Sequence, residues 1–324
     1  MDLSIFFAGT GGSVPTARRG LPATLVRRGG DRILFDCGEG TQRQLVRSAG
    51  LMDLTEIFLT HFHTDHWLGL PGMLKTFDLR GRDRPLTIYG PPGVQSLIAL
   101  VLRMGGRLDY ALDVVELEGG DVLDRDGYRI APVPVSHRGP ALGYVLFEDE
   151  RPGVFDPQAA RRLGLEEGPE FGLVQRGETI RGVTPDQVLG PSRAGRKIVL
   201  SGDTSPCEAL RVAAHRADVL VHEATFAEEE RARAAETGHS TATGAATLAR
   251  DAEVTLLALT HLSTRHPVGL LRDEARAVFA DTVVPRDFDT LEVPLPERGK
   301  PTLVRWDAAR AAIEEQPAPA ETTS

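Results

Sequence analysis

The chain has 324 residues, of which 41% are hydrophobic and 26% are charged, an ordinary composition for a globular protein. This length suits one large α/β domain with an insertion, or two domains. The formal net charge of −9 argues against a protein that coats nucleic acid in general, although it allows a local basic surface. No run approaches the roughly 18 consecutive apolar residues of a membrane span. We therefore expect a cytoplasmic protein that does not enter a membrane.

Short β-like runs alternate with helical runs through the first half of the chain. Strands are predicted at residues 3–8, 23–27, 32–35, 57–60 and 86–89, and in succession between residues 114 and 147. Helices are predicted at residues 39–48, 70–79 and 93–103. The alternation of strands and helices from residue 32 to residue 103 indicates an α/β fold.

Residues from about 150 to 196 interrupt this alternation. The segment is rich in glycine and proline and has weak periodicity. A stretch of this length without clear elements is usually functional or mobile. Residues 151–197 also carry eight basic and six acidic side chains in a chain of net charge −9, which is a mild hint of an anionic partner.

The alternation returns after the interruption. Strands are predicted at residues 198–200, 219–221 and 254–259, and helices at residues 207–216, 242–251 and 270–279. Residues 307–324 are polar and contain proline, so we expect a disordered tail after a single domain at residues 1–306. Two β-then-α halves indicate two sheets packed face to face with helices outside, an αββα sandwich.

Residues 61–66 read His-Phe-His-Thr-Asp-His and directly follow an apolar run. Imidazole nitrogens and carboxylate oxygens are ligands for Zn²⁺ and similar divalent cations. On an extended backbone His61, His63 and Asp65 would point to one side and His66 to the other. The motif therefore offers two diverging sets of ligands, which suits two adjacent cations better than one. The alternative is a solvated loop that happens to be rich in histidine.

Three more candidate ligands follow apolar, strand-like runs. These residues are His137, Asp203 and His261. Short loops at strand ends hold side chains rigidly, and a carboxylate such as Asp203 can bridge two cations, whereas a histidine cannot. A single histidine after a strand is more often an ordinary surface residue. With the motif at 61–66 present, we favour the metal-binding interpretation.

Two further histidines belong to the candidate site. His239 lies in a plausible helix-capping segment and is a candidate proton donor or phosphate contact. His222 is expected to support the ligands or the fold without touching the metal. A metal-bound histidine usually needs a carboxylate or carbonyl partner on its other nitrogen. Glu223, Asp36 and Glu39 are candidates for that role.

The motif at 61–66 resembles the HxHxDH signature of the metallo-β-lactamase superfamily. Other segments resemble ribonuclease Z, a family of tRNA 3′-processing endonucleases within that superfamily. They are Phe-Ala-Gly-Thr-Gly-Gly at 7–12, Phe-Asp-Cys-Gly-Glu-Gly-Thr-Gln at 35–42, Ser-Gly-Asp-Thr at 201–204, His-Glu-Ala-Thr-Phe at 222–226 and Gly-His-Ser-Thr at 238–241. The resemblance spans about residues 3–305 and implies a metallo-β-lactamase fold with an inserted flexible arm at about 150–196.

The resemblance also implies roles for individual residues. One metal would be held by His61, His63 and His137, the other by Asp65, His66 and His261, and Asp203 would bridge them. Asp65 would also accept a proton, and His239 would assist near the scissile phosphate. The expected cofactors are two Zn²⁺ ions per subunit, with Mn²⁺ or another divalent metal as the alternative.

The expected substrate also comes from the resemblance. In the family the arm clamps the body of tRNA, and Gly168 and Pro169 match it here. Arg18 and Arg19 lie in a segment resembling the loop that meets the tRNA 3′ end, although the family usually has lysine where Ala17 stands. The resemblance implies a homodimeric endoribonuclease that removes 3′ trailers from precursor tRNA. The alternative is a phosphodiesterase or other hydrolase of this fold that acts on a small ester.

Overall fold

The computed structural model describes residues 1–51 and 54–307. The predicted tail therefore lies outside the described residues, apart from Asp307. The strands are β1 (Leu3–Gly9), β2 (Ala23–Arg28), β3 (Asp31–Phe35), β4 (Glu56–Phe58), β5 (Leu86–Gly90), β6 (Leu112–Glu116), β7 (Leu123–Arg125), β8 (Tyr128–Pro134), β9 (Leu142–Glu148), β10 (Lys197–Leu200), β11 (Val219–Glu223), β12 (Leu256–Thr260), β13 (Thr282–Val283), β14 (Thr290–Glu292) and β15 (Thr302–Val304).

Most helices lie close to the positions predicted from the sequence. They are α1 (Thr41–Arg47), α2 (Thr64–Trp67), α3 (Leu70–Leu79), α4 (Val94–Gly105), α5 (Pro157–Arg162), α6 (Pro169–Gln175), α7 (Glu208–Ala213), α8 (Arg231–Thr237), α9 (Ala242–Asp251) and α10 (Val268–Val278). Short 3₁₀ helices occur at Pro185–Gln187, Glu228–Glu230 and Pro296–Arg298. No helix in the described part of the chain combines the length and the apolar character needed to span a bilayer.

The strands form two mixed sheets. The first has the order β15-β14-β1-β2-β3-β4-β5-β6, and the second has the order β13-β12-β11-β10-β9-β8-β7. Strands β3 to β6 are parallel in the first sheet, as are β10 to β13 in the second. Because parallel strands end at the same edge of a sheet, the loops that follow them are brought close together.

The hydrophobic core lies between the two sheets and under the helices. Along β1, Ile5 and Phe7 face the other sheet, whereas Phe6 and Ala8 face the outer helices, as the period of two of a strand requires. Helices α1, α3 and α4 cover the first sheet, and α7, α9 and α10 cover the second. This layering confirms the predicted αββα sandwich.

The segment 150–196 connects β9 to β10 and is not a plain loop. It contains α5, α6 and a small apolar cluster of its own, formed by Ala160, Leu165, Phe171, Val174, Val183 and Val188. The glycines and prolines concealed these elements because they mark the starts and turns of very short helices. The segment begins at the end of β9 and finishes at the start of β10. Its two ends, which we call the root of the arm, therefore lie at the edge of the second sheet opposite the loop after β10.

A buried ion cluster holds the root of this arm. The Glu148 carboxylate accepts hydrogen bonds from Arg28 Nε at 2.9 Å and from Arg196 Nε and Nη2, each at 2.8 Å. Arg196 also donates to the backbone carbonyl of Val293 at 2.7 Å. Burial alone would raise the pKa of Glu148, but the hydrogen bonds from Arg196 and Arg28 lower it to about 2. The cluster ties the arm's root to β2.

Replacing Glu148 with glutamine is expected to destabilise the fold by about 3 kcal/mol, because it leaves two buried guanidinium groups without their counterion. The folded-state pKa of about 2 lies below the ordinary 4.5. Glu148 therefore stabilises the fold above pH 4.5, and this contribution is lost as the pH falls from 4.5 towards 2. Urea unfolding of wild type and E148Q at neutral pH and near pH 3 measures both effects.

The difference in unfolding free energy between wild type and E148Q should shrink as the solution is acidified. Glu253→Gln is the control, since Glu253 is an exposed carboxylate whose contact with Arg216 is 3.6 Å long, and it should unfold like wild type. Equal stability of wild type and E148Q at neutral pH would show that the cluster contributes nothing to folding.

Candidate metal centre

All seven predicted metal ligands lie at one edge of the two sheets. His61, His63, Asp65 and His66 follow β4, His137 follows β8, Asp203 follows β10, and His261 follows β12. Their donor atoms form two groups in which every atom lies within 4.8 Å of the others. One group is His61, His63, His137 and Asp203, and the other is Asp65, His66 and His261.

Asp203 lies between the two groups. Its Oδ2 is 3.7 Å from His61 Nε2 in the first group. The same oxygen is 3.4 Å from His66 Nε2 and 3.2 Å from His261 Nε2 in the second group. In the second group, Asp65 Oδ2 is 3.3 Å from His261 Nε2. One buried carboxylate oxygen is therefore shared by both groups.

The expectation that His61, His63 and Asp65 point to one side along an extended backbone is wrong. His63 is extended, with φ −66° and ψ 143°, but it is the N-cap of helix α2, which begins at Thr64. A helix turns successive side chains by about 100° instead of 180°. This turn places Asp65 beside His66 and His261. The motif still supplies two sets of ligands, but Asp65 belongs with His66 and not with His61 and His63.

A second contact orients each of four ligand histidines from behind. His66 Nδ1 lies 2.8 Å from Asp36 Oδ2. His61 Nδ1 lies 3.0 Å from Thr60 Oγ1, and His261 Nδ1 lies 2.9 Å from Thr225 Oγ1. His137 Nδ1 lies 2.7 Å from the carbonyl oxygen of Gly238. Such partners fix the ring orientation and leave the other nitrogen for a metal.

Three carboxylates were predicted as candidate partners for the ligand histidines, and Asp36 is the one that contacts such a histidine, His66. Glu223 instead contacts His239, and Glu39 is exposed and lines a neighbouring cleft. The contacts of Thr60 and Thr225 with ligand histidines were not predicted from the sequence. Thr60 directly precedes a ligand and was a recognisable candidate, whereas Thr225 is separated from His261 by 36 positions and gave no local signal.

Two glycines let the backbone approach the histidine rings. A Cβ at Gly12 would lie 2.5 Å from ring atoms of His261, and one at Gly238 would lie 3.0 Å from His137 Nδ1. Gly238 also has a φ of +76°, which disfavours other residues. Glycine at 12 and 238 thus permits the close packing that the histidine cluster requires.

The donor set fits divalent cations. In the described residues the buried nitrogens His61 Nε2 and His66 Nε2 have no hydrogen-bond partner, although both point at the cluster. Unpartnered buried polar atoms are costly unless a ligand satisfies them. Two groups of imidazole and carboxylate donors that share one oxygen suit a pair of cations of the Zn²⁺ or Mn²⁺ type.

The charges in the cluster support this assignment. Burial alone would raise the pKa of Asp203, but His261 and His66 hold it well below its ordinary value. Burial lowers the pKa of His61 well below its ordinary value. Burial also opposes charge on His66, yet Asp203 and Asp36 raise its pKa well above the ordinary value. The two buried carboxylates thus favour positive charge among the clustered histidines, as they would favour a bound cation.

His239 and Glu223 form a pair at the edge of the cluster. His239 Nδ1 lies 2.8 Å from Glu223 Oε1 and 3.8 Å from Asp203 Oδ2. Glu223 is 1% exposed and also accepts hydrogen bonds from the amides of Thr204 and Thr225. Burial alone would lower the pKa of His239, but the contact with Glu223 raises it. His239 is therefore a candidate proton donor held in place by Glu223.

His222 lies on the other face of β11. Strand alternation separates it from Glu223, and its neighbours Leu220 and Ala224 pack under the helices. Its Nδ1 contacts the carbonyl oxygen of Glu223 at 2.7 Å. This position favours a structural role for His222, the second of the two roles considered from the sequence.

The four predicted RNA-binding residues lie in two separate places. Arg18 is exposed on the loop after β1, and Arg19 is half-buried and donates to the carbonyl of Pro285 at 3.0 Å. Gly168 and Pro169 are exposed at the start of α6 in the arm. The loop after β1 also reaches the metal centre, since the amide of Ser13 donates to Asp65 Oδ2 at 2.8 Å.

Comparison with known proteins agrees with this geometry. A model of the metallo-β-lactamase superfamily matches residues 19–262. Ribonuclease Z of Myxococcus xanthus is 46% identical over 302 residues, which cover 90% of this chain and 98% of that protein. Ribonuclease Z of Methanosarcina mazei is 44% identical over 300 residues, with 90% and 98% coverage.

Among solved structures, the short form of human tRNase Z superposes with a TM-score of 0.67 at 28% identity. The superposition covers 90% of this chain and 99% of the human chain. The family match, the near full-length relatives and the shared fold lead to one conclusion. The chain belongs to the ribonuclease Z family of the metallo-β-lactamase superfamily.

Proposed function

We propose that the protein is a dinuclear-metal endoribonuclease that removes 3′ trailers from precursor tRNA. The observation that carries this proposal is the pair of donor groups that share Asp203, in a chain 46% identical to a ribonuclease Z along nearly its whole length. The products would be a tRNA with a 3′-hydroxyl and a trailer with a 5′-phosphate.

The proposed ligands are those that the sequence indicated. The first cation would be held by His61, His63 and His137, the second by Asp65, His66 and His261, and Asp203 would contact both. Zn²⁺ is the proposed metal, with Mn²⁺ as the alternative. When bound, the two cations would supply Lewis-acid stabilisation of charge on the phosphate and make an attacking water more acidic.

The protein's own side chains would handle the protons. Asp65 Oδ2 is oriented by the Ser13 amide and would accept the proton of the attacking water. His239, with its pKa raised by Glu223, would hold a proton and donate it to the departing 3′-oxygen. Glu223 would keep the His239 ring in the orientation needed for that transfer.

The arm distinguishes between the two candidate substrates, precursor tRNA and a small ester. It is rooted at the edge of the second sheet opposite the metal loops, where a small substrate at the metals would not reach it. We propose that it contacts the body of the tRNA through the exposed surface around Gly168 and Pro169.

Replacing residues 152–191 with a short glycine-serine linker is expected to reduce precursor tRNA cleavage by at least about a hundredfold, because the contacts that hold the tRNA body are lost. The same variant should hydrolyse bis(p-nitrophenyl) phosphate at close to the wild-type rate. Glu148, Arg151 and Arg193 are kept so that the root stays intact. Equal loss of both activities would indicate a folding role for the arm and would remove the arm's support for a tRNA substrate.

We further propose that the enzyme acts in the cytoplasm as a homodimer, as its resemblance to the family implies. Multi-angle light scattering of the full chain measures this directly. A mass near 70 kDa is expected, twice the 35.0 kDa of one chain, and a mass of one chain would contradict it.

A further inference from the structure

Helix α8 carries two groups that serve the metal centre. The carbonyl oxygen of Gly238, directly after the helix, lies 2.7 Å from Nδ1 of the ligand His137. The next residue, His239, is the proposed proton donor, and its amide donates to the carbonyl oxygen of Ala234 within the helix at 2.8 Å. The position of α8 therefore sets the positions of both groups.

Apolar packing holds α8 only weakly. Of its seven side chains Ala234 alone is buried, and an isolated helix of this length is unstable in water. On the side that faces α7 and α9, Ala234, Ala235 and His239 line a cavity of about 470 Å³. The helix therefore has room to shift, and polar contacts at its ends are needed to hold it.

Glu230 holds the start of the helix. It ends the 3₁₀ turn Glu228–Glu230 and directly precedes α8. Its carboxylate accepts hydrogen bonds from Arg265 Nε at 3.1 Å and from Arg265 Nη2 at 2.6 Å. Its Oε2 also lies 2.7 Å from Nε2 of the buried His266. We call Glu230, Arg265 and His266 the clamp of α8.

The clamp joins α8 to the loop that carries a ligand of the other donor group. Arg265 and His266 lie between β12 and α10, in the loop that begins at His261. Arg265 contacts both oxygens of the carboxylate, and such a two-pronged contact fixes the orientation of both groups. Arg265 also lowers the pKa of Glu230 below its ordinary value, so the carboxylate is charged at neutral pH.

The clamp is better suited to fixing geometry than to stabilising the fold. The side chains of Arg265 and Glu230 are 44% and 22% exposed, and partly exposed ion pairs contribute little to folding. Separate contacts hold the turn before α8, since Glu228 accepts a hydrogen bond from Thr241 Oγ1 at 2.8 Å and donates its amide to Glu274 at 2.9 Å. Loss of the clamp should therefore free α8 and leave the turn in place.

We propose that Glu230 is a positioning residue that, through the clamp, holds Gly238 and His239 in place beside the metal centre. This inference rests on the proposed function. Glu230 belongs to neither donor group, so it acts through α8. Release of the helix would deprive His137 of its orienting carbonyl and would move His239 away from the departing 3′-oxygen.

The test uses E230Q, which removes the charge and keeps the size of the side chain. The Kd for one of the two Zn²⁺ ions, measured by competition with a chromogenic chelator, should rise about tenfold, because partners behind a ligand histidine tune metal affinity. R265Q, which removes the other half of the clamp, should show the same rise. Glu229→Gln is the matched control, since Glu229 is an exposed neighbour in the same turn.

Rates at saturating Zn²⁺ test the effect on His239. The kcat of E230Q for precursor tRNA should fall about tenfold, because the departing 3′-oxygen needs a proton. The kcat for bis(p-nitrophenyl) phosphate should stay within about twofold of wild type, because p-nitrophenolate departs without one. The double variant E230Q/H239A should cleave precursor tRNA no more slowly than H239A, since residues that act as one unit are not additive.

Three results would overturn the inference. They are wild-type Zn²⁺ affinity in both E230Q and R265Q, equal loss of rate on the two substrates, and additive losses in the double variant. Failure of wild type to cleave any precursor would instead contradict the proposed function itself. The comparison of Zn²⁺ affinities would still test the clamp in that case, because it does not depend on the substrate.

Discussion

Replacement of Asp203 with asparagine is expected to lower kcat for phosphodiester cleavage at least about a thousandfold, or about 4 kcal/mol of activation free energy. Asp203 is 3% exposed, and its Oδ2 lies within 3.7 Å of histidines from both donor groups. An amide has no negative charge to share between two cations, so the second cation would be lost or displaced. Rates with bis(p-nitrophenyl) phosphate and metal content by plasma mass spectrometry measure the two consequences.

Asp218→Asn is the matched control for this variant. Asp218 precedes β11 and accepts a hydrogen bond from the amide of Lys197 at 2.7 Å, at the end of β10 away from Asp203. It should keep two metal ions per chain and near wild-type activity. Two tightly bound ions and full activity in D203N would show that Asp203 does not bridge the cations.

Replacement of His239 with alanine is expected to lower kcat about a hundredfold while two metal ions remain bound, because loss of a proton donor typically costs 10²- to 10⁴-fold. Glu223→Gln should produce a smaller loss in the same direction. If Glu223 acts through His239, the double variant should be no slower than H239A alone, since residues that act as one unit are not additive.

Metal content separates two roles for His239. Its ring lies near Asp203 and His261 and forms a third possible donor group with them. Loss of one cation in H239A would identify it as a ligand and would contradict the proton-donor role. His215→Ala is the control, because His215 is an exposed histidine at the end of α7, and it should leave both rate and metal content unchanged.

The sequence predicted the metal ligands best where a strand is followed by a short loop that carries a ligand residue. The apolar runs before His61, Asp203 and His261 were recognisable as strands, and parallel pairing brings such loops to one edge. Local geometry was less predictable. The short helix α2 turns Asp65 towards His261, and no periodicity is visible in four residues.

Contacts between residues far apart in the chain could not be predicted. The pairing of Thr225 with His261 and of Gly238 with His137 depends on the order in which β12, β11, β10, β9 and β8 lie in the second sheet. The cleft lined by α1 and residues 286–289 is a stronger case, since Arg43 and Arg47 come from α1, whereas Phe288 and Trp306 come from the other end of the chain. Their separation in sequence conceals a shared surface that only the fold brings together.

If the protein cleaves precursor tRNA at the start of its trailer with two cations held by the seven ligands, removal of the cations should abolish cleavage. The most direct measurement is incubation of the Zn²⁺-loaded full chain with a trailer-bearing precursor tRNA, with and without EDTA, followed by analysis of the product ends. We predict one cut that gives a tRNA with a 3′-hydroxyl and a trailer with a 5′-phosphate. Activity should disappear with EDTA and return with Zn²⁺ or Mn²⁺. Undiminished cleavage in EDTA, or a tRNA that ends in a 3′-phosphate, would contradict the account.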